Sequence, residues 1–265
     1  MRMTPLFDPE IVGRPMRVAA FMSGSGSNIR RLIDRAKKLE ERDGTSPFEV
    51  VFIFSDRSDG SCQGEEIAYA HGIPYFSYDI VKFHYLRGLK RTVRTPQGLN
   101  ARKQFDVTAK KLIDAFEIDV IALGGYMSYV TLNRCVNVHP ADLSILTPDG
   151  ARKYTGDNAV LDAISGGETI LRSSTLWTDE GVDTGPLLMV SAPLPVELPV
   201  PLEELLKEKD RLMRIAEAHQ ERLKEIGDWH IFPQTIEMIA RGRFSIDEHH
   251  RVYVDGHAVP RGYRE

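Results

Sequence analysis

Along the chain, unbroken apolar runs alternate with stretches in which apolar residues recur every three or four positions. "RVAAFM" (Arg17 to Met22) is almost wholly apolar, the small-residue segment "SGSGSN" follows, and Ile29, Leu32, Ile33 and Ala36 then fall at helical spacing. This series predicts a strand, a tight turn and a helix. "FEVVFIFSD" (Phe48 to Asp56) is a β-branched and aromatic run of the kind a parallel strand covered on both faces shows. A helix over "GEEIAYAH", stopped by Gly72, and a strand over "PYFSYD" come next. Helical periodicity returns from Arg102 to Phe116, and "DVIALGGYM" (Asp119 to Met127) predicts a further buried strand ending in glycines. The alternation predicts an α/β fold with a doubly wound, mostly parallel twisted sheet, Rossmann-like, and right-handed crossovers.

Two stretches lack a period. Lys82 to Asn100 is basic and is expected as a surface loop or mobile excursion. Ser144 to Tyr154 carries Pro148, Asp149 and Gly150 and directly follows a strand, where an active-site loop would lie. After "PLLMVSAPL" a proline-rich hinge leads into a long charged helix over Leu202 to Ile226, whose apolar face would be buried on the body or on a second copy in a homodimer. The expected organisation is an N-terminal arm (1–16), an α/β domain (17–200) and a C-terminal helix and hairpin extension (201–265) packed on that domain.

The strand "CVNVHPADLS" (Cys135 to Ser144) interrupts its apolar run with two polar groups. Successive strand side chains alternate faces, so Asn137 and His139 share one face and Val136 and Val138 the other. Pro140 biases His139 away from helix and cannot donate to a neighbouring strand, so the pair should lie at the strand's carboxyl end, where open α/β sheets bind ligands. Taken alone, such a pair is more often two buried polar groups satisfying each other. Gly24, Gly26, Ser27 and Asn28 would present backbone N–H groups at a helix start, an arrangement that suits phosphate. The dinucleotide fingerprint's third glycine and the P-loop's Gly-Lys-Ser/Thr are both missing, so a single phosphomonoester fits best. "DEGVDTGP" (Asp179 to Pro186) places Asp183 among turn residues, from which it could pair with a histidine, raise its pKa and fix its tautomer.

With 265 residues, 42% of them hydrophobic, the chain can bury one sizeable core. A net charge of -4 argues against nucleic-acid binding and leaves small molecules as partners. Cys62 and Cys135 stand alone, so neither a disulfide framework nor a zinc site is indicated. No run is long and apolar enough for a membrane span, and Met1 to Pro15 does not resemble a signal peptide; a cytoplasmic protein is expected.

"FMSGSGSN", "VNVHPADL" and "DEGVDTGP", in that order, resemble the folate-dependent formyltransferases. The likeness extends to "NARKQFDVTAKKLI", to "GGYM" and to the tail from Ile231 to Tyr263. It implies transfer of a formyl group from the co-substrate 10-formyltetrahydrofolate to a primary amine, without a metal. Glycinamide ribonucleotide is the first acceptor it suggests, with a sugar-nucleotide amine or water as alternatives. The resemblance makes Asn137, His139 and Asp183 the catalytic trio, with Asp183 keeping His139 protonated so that amide and imidazolium donate to the tetrahedral oxyanion. It assigns Gly26, Ser27, Asn28 and the bidentate guanidinium of Arg102 to the acceptor's phosphate, and Asp228 to its amine side. Gly125, Met127, Ser128, Tyr129, Val130, Asp179 and Glu180 would form the folate pocket. Ser128 replaces the family's usual arginine, and Leu176 a second histidine that many members carry. Two other readings are a nucleotide-dependent oxidoreductase and a non-catalytic ligand-binding protein. Against the oxidoreductase count the missing glycine and the lack of an acidic residue about 20 positions beyond the loop at a clear strand end.

Overall fold

A computed structural model describes residues 3–264; the first two residues of the expected arm and Glu265 of the extension lie outside the described residues. Strand β1 (Met3–Pro5) comes first. The chain divides into two compact units, one over Phe7–Asn137 with Ala240–Gly242, the other over Val138–Ile239 with the described ends of the chain.

In the Phe7–Asn137 unit, α1 (Pro9–Val12) is capped by Asp8, whose side chain accepts from the backbone of Glu10 and Ile11. Strands β2 (Met16–Met22), β3 (Phe48–Ser55) and β4 (Tyr75–Ser77) alternate with α2 (Ser27–Asp43) and α3 (Gly64–His71). Helices α4 (Ile80–Tyr85) and α5 (Pro96–Ala115) precede β5 (Val120–Leu123) and β6 (Cys135–His139). Every strand pairing here is parallel, in the order β4-β3-β2-β5-β6. The periodic residues of α2, Ile29, Leu32 and Ile33, are buried, and Gly72 ends α3 in the left-handed region (φ 65). The basic excursion is shorter than its pattern suggested, because α4 runs to Tyr85 and α5 starts at Pro96, where the Thr95 side chain accepts from Gly98 N. Pro96 at the first helical position and a threonine cap before it are the signals that the missing periodicity obscured.

The second unit contains α6 (Ala159–Ser165), β7 (Ile170–Leu171), β8 (Ser174–Trp177), β9 (Leu187–Val190) and β10 (Leu194–Pro195). Helices α7 (Leu202–Leu205), α8 (Lys209–Leu223) and α9 (Trp229–Ala240) follow, then β11 (Phe244–Asp247), β12 (Val252–Val254) and β13 (His257–Ala258). The single helix expected over 202–226 is broken after Leu205 and passes at Lys224–Asp228 into a wider π turn. Gly227 allows that turn to pack closely, since a Cβ there would lie 2.5 Å from Ser173 Oγ. The apolar face of α8, with Leu212, Ala216 and Leu223, packs in one core with Ala159, Val160, Ala163 and Ile164 of α6. β1 pairs with β11, completing a small antiparallel sheet ordered β1-β11-β12-β13.

The main sheet's strands lie in the order β4-β3-β2-β5-β6 in the first unit, and β8 pairs with β9 in the second. Only β9 is antiparallel to its neighbour β8 among the pairings described. The doubly wound, mostly parallel α/β fold is thus present.

Candidate active site

β6 ends where Pro140 follows His139, which is 5% exposed at the strand's carboxyl end, two residues after the half-buried Asn137. The β8–β9 connection brings up the carboxylate. Its ends meet through Trp177 N donating to Pro186 O at 2.9 Å. Gly185 must lack a side chain, because a Cβ would sit 2.0 Å from Trp177 O. Asp179, expected in the folate pocket, staples this loop: its Oδ1 accepts from Gly181 N at 2.9 Å and from Thr184 Oγ1 at 2.7 Å. Glu180 beside it is exposed. Asp183 adopts the left-handed region (φ 55), which aspartate tolerates better than most residues. Its Oδ2 lies 3.4 Å from His139 Nδ1, with both side chains less than a tenth exposed.

The loop after His139 closes on this pair. Gly150 N donates to Thr147 O at 2.9 Å across Pro148-Asp149, and Leu146 bridges Arg152, so the irregular stretch is a tight hairpin turn. The turn aims Arg152 at the aspartate loop: Nη1 donates to the Asp183 carbonyl and Nη2 to the Gly185 carbonyl at 2.5 Å. Gly156 N donates to Asp183 Oδ2 at 2.9 Å, and the Tyr154 carbonyl stands 3.2 Å from His139 Nε2. A carbonyl can only accept, so Nε2 carries a proton.

Burial is the largest influence on His139 and pushes its pKa below the ordinary histidine value, against the Asp183 carboxylate and the Tyr154 carbonyl; the Arg152 charge adds to the lowering. The expectation that Asp183 keeps the ring cationic is therefore corrected: desolvation of the charged form outweighs the carboxylate in the free protein. We expect Arg152→Met to slow turnover by about 10- to 100-fold, because small misplacements of catalytic groups are that costly. The same variant should raise the His139 pKa, since it removes a neighbouring positive charge; NMR titration of the ring checks the sign.

At the carboxyl end of β2, Gly26 is the N-cap of α2 with φ 68, and no side chain caps the helix. The N–H groups of Ser27 and Asn28 fall in the first turn, which has no intrahelical acceptors, and the buried Asn28 Oδ1 has no hydrogen-bond partner. A Cβ on Gly26 would meet Met22 Cε at 2.4 Å and Ile67 Cδ1 at 2.5 Å. Left-handed strain and overpacking together should make Gly26→Val about 3 kcal/mol less stable in urea unfolding.

Arg102 is placed differently from the expectation that its fork would hold phosphate. Nε and Nη2 face Asp106 Oδ2 and Oδ1 at 3.3 and 2.7 Å, and Nη2 also donates to Tyr126 OH at 3.2 Å, leaving Nη1 buried without a hydrogen-bond partner. The bidentate edge is thus spent on a carboxylate four residues along the same helix. Arg102 instead lines a cavity of about 410 Å³ with Met127, Ser128 and Tyr129 of the expected folate segment. Gly125 (φ 81) turns the chain into that segment, and Val130 leaves it for the apolar core. Asp228 closes the π turn and is 5% exposed. Leu176 packs with Leu143, Leu187 and Val190 rather than facing a site.

Sequence reasoning missed Asp56, Asp106, Arg152 and Tyr154. Asp56 follows β3 directly, about thirty residues beyond the glycine loop. Its two oxygens accept from Ser23 Oγ at 2.7 Å and from Ser128 Oγ, so it ties two loops together. A charged residue closing the apolar run "FIFSD" was the available signal. Among the described residues no cluster of three or more His, Cys, Asp or Glu is arranged to hold a metal, and no helix is long and apolar enough to cross a membrane.

Residues 16–205 match the formyl transferase family, and the chain belongs to it. It is 29% identical over 189 residues to the phosphoribosylglycinamide formyltransferase of Mycobacterium tuberculosis (strain CDC 1551 / Oshkosh), covering 69% of this chain and 72% of that protein. The trifunctional purine biosynthetic protein adenosine-3 of Bos taurus is 24% identical over 243 residues, which are 89% of this chain. The chain spans only 19% of that longer relative. Among solved structures, glycinamide ribonucleotide transformylase 1 from Symbiobacterium toebii superposes with a TM-score of 0.62 at 25% identity, over 91% of this chain and 95% of that one.

Proposed function

We propose that this chain transfers the formyl group of 10-formyltetrahydrofolate to the primary amine of glycinamide ribonucleotide, a step of purine synthesis, in the cytoplasm. The observation that carries the reading is the buried His139–Asp183 pair at the carboxyl end of β6, with Asn137 two residues earlier on the same strand. The amine lone pair attacks the formyl carbon and the carbonyl π pair moves onto oxygen. The Asn137 amide donates a hydrogen bond to that oxyanion, and His139 Nε2–H, released from or shared with the Tyr154 carbonyl, donates the second. Collapse breaks the bond from carbon to the folate nitrogen, and the amine's proton passes to that nitrogen through His139 or a water held by Asp183. Because burial keeps the free ring below its ordinary pKa, His139 gains its proton as negative charge grows beside it. The α2 start, with Gly26, Ser27 and Asn28, receives the acceptor's phosphate, Asp228 serves the amine side, and Gly125 to Val130 with Glu180 faces the folate.

The test is a product assay with purified protein, 10-formyltetrahydrofolate and, in parallel, glycinamide ribonucleotide, an amino-sugar nucleotide or buffer alone. Formylated glycinamide ribonucleotide should form at least about 100-fold faster than formate is released, the usual scale of a positioned acid-base group. Formate release at the same rate with and without acceptor would make the protein a hydrolase instead.

A further inference from the structure

The turn that leaves His139 is tied down by a carboxylate and a distant cation. Asp142 Oδ1 accepts from Ser144 N at 3.0 Å and from Ser144 Oγ at 2.5 Å, and its Oδ2 lies 3.3 Å from Arg264 Nη2. The same Nη2 donates to Ser144 Oγ at 2.8 Å, so one guanidinium holds residues 142 and 144 together. Arg172 also approaches Asp142, at 3.7 Å, but its Nη1 is engaged by the Ser191 carbonyl at 2.7 Å. The Asp142 side chain is only 10% exposed, which leaves its charge less screened than that of an ordinary surface pair.

Arg264 reaches this turn because the residue before it is docked. Strand β9 pairs with β8 along one edge and receives Tyr263 along the other: Tyr263 N donates to Leu188 O at 2.8 Å and Val190 N to Tyr263 O at 2.9 Å. Gly262 permits the close approach, since a Cβ there would lie 2.9 Å from Val190 Cγ2. The turn itself is registered on β8, where Ser174 Oγ donates to Ala141 O at 2.6 Å and accepts from Leu143 N at 3.0 Å. From Ser144 the chain enters the hairpin, whose arms are joined by Lys153 N donating to Ile145 O at 3.0 Å and Thr147 N to Ala151 O at 2.8 Å. The returning arm carries Arg152 to the Asp183 carbonyl and the Tyr154 carbonyl to His139. A shift at the root of the hairpin is therefore passed to both contacts.

We propose that Arg264 is a positioning residue for formyl transfer: it fixes Asp142 and Ser144 at the root of the hairpin and so sets Arg152 and the Tyr154 carbonyl against the His139–Asp183 pair. The inference rests on the formyl-transfer reading, and deepens it. A partly exposed ion pair adds little to global stability, whereas a displacement of about 1 Å at a reacting pair is costly in rate. The effect of Arg264 thus falls on turnover rather than on folding.

Kinetics and amide exchange test it. Arg264→Ala should lower kcat about 10-fold with both KM values within about twofold of wild type, and Arg264→Lys, which still sets a cation on Asp142, should recover most of the loss. The double variant Arg264→Ala/Arg152→Met should turn over at the rate of Arg152→Met alone, because both changes act along one path. Amide exchange followed by NMR needs no turnover: Lys153 N and Gly156 N should exchange about 10-fold faster in Arg264→Ala, while Val190 N, bonded to Tyr263 O, keeps its protection. Unchanged exchange at residues 153 and 156, or rate losses that multiply in the double variant, overturn the proposal. Loss of protection at Val190 also overturns it, since the whole segment would then have left β9 and the effect would not belong to Arg264. Absence of formyl transfer in the unmodified protein would defeat the functional reading, whereas the exchange measurement would still decide the part played by Arg264.

Discussion

His139→Asn is expected to slow formyl transfer by about 10³-fold while the protein still folds. Removal of one preorganised oxyanion donor costs about 10²- to 10³-fold, and this substitution also removes the group that moves the proton. Asparagine can keep one hydrogen bond to the Tyr154 carbonyl, which in the wild type lies 3.2 Å from Nε2. Stability should gain at low pH. The folded ring resists protonation while the unfolded chain does not, so the unfolded state binds more protons as pH falls through the ordinary histidine value. The wild type should therefore lose stability over that range, and the variant should lack that portion of the loss. Melting curves between pH 7 and pH 5 read the difference, and single-turnover assays read the rate; a rate within tenfold of wild type would remove His139 from the chemistry.

The parts of this architecture visible in the sequence are those that local rules dictate. Apolar runs became β2, β3, β5 and β6, and the residue after each run fell at the carboxyl edge of the sheet. The polar pair at 137 and 139 was legible because strand alternation and Pro140 leave it one place to go. Groups recruited by tertiary contact were hidden. Arg152 sits in a segment with no period, and nothing local says that its guanidinium will reach carbonyls of residues 183 and 185, some thirty positions away. Arg102 was legible as a cation but not as a spent one: its partner Asp106 lies one helical turn on, a spacing that allows pairing without requiring it. The direction of the His139 shift was illegible for the same reason, since burial is a property of the assembled core and not of the motif.

Asp183→Asn isolates the carboxylate's charge from its geometry and should lower kcat by about 10⁴-fold, by analogy with the tautomer error made when the aspartate of a Ser-His-Asp triad becomes asparagine. Asparagine accepts the left-handed backbone (φ 55) as readily as aspartate, and its carbonyl oxygen can still accept from Gly156 N, 2.9 Å away in the wild type. The fold should be undisturbed. Electrostatically, however, the largest influence opposing burial at His139 disappears, so the ring's pKa should fall further. An amide at that position can also donate, which favours a lone pair on Nδ1 and weakens the ring's ability to end the reaction cationic. The double variant with Arg152→Met separates the two contributions. Removing the arginine charge should restore part of the His139 pKa but none of the lost rate, because the carboxylate that shares the proton's charge in the transition state is still absent. If the pKa moved upward in Asp183→Asn, or if the rate followed the pKa back in the double variant, the carboxylate would be acting only as a bulk field and not as the partner that positions the ring.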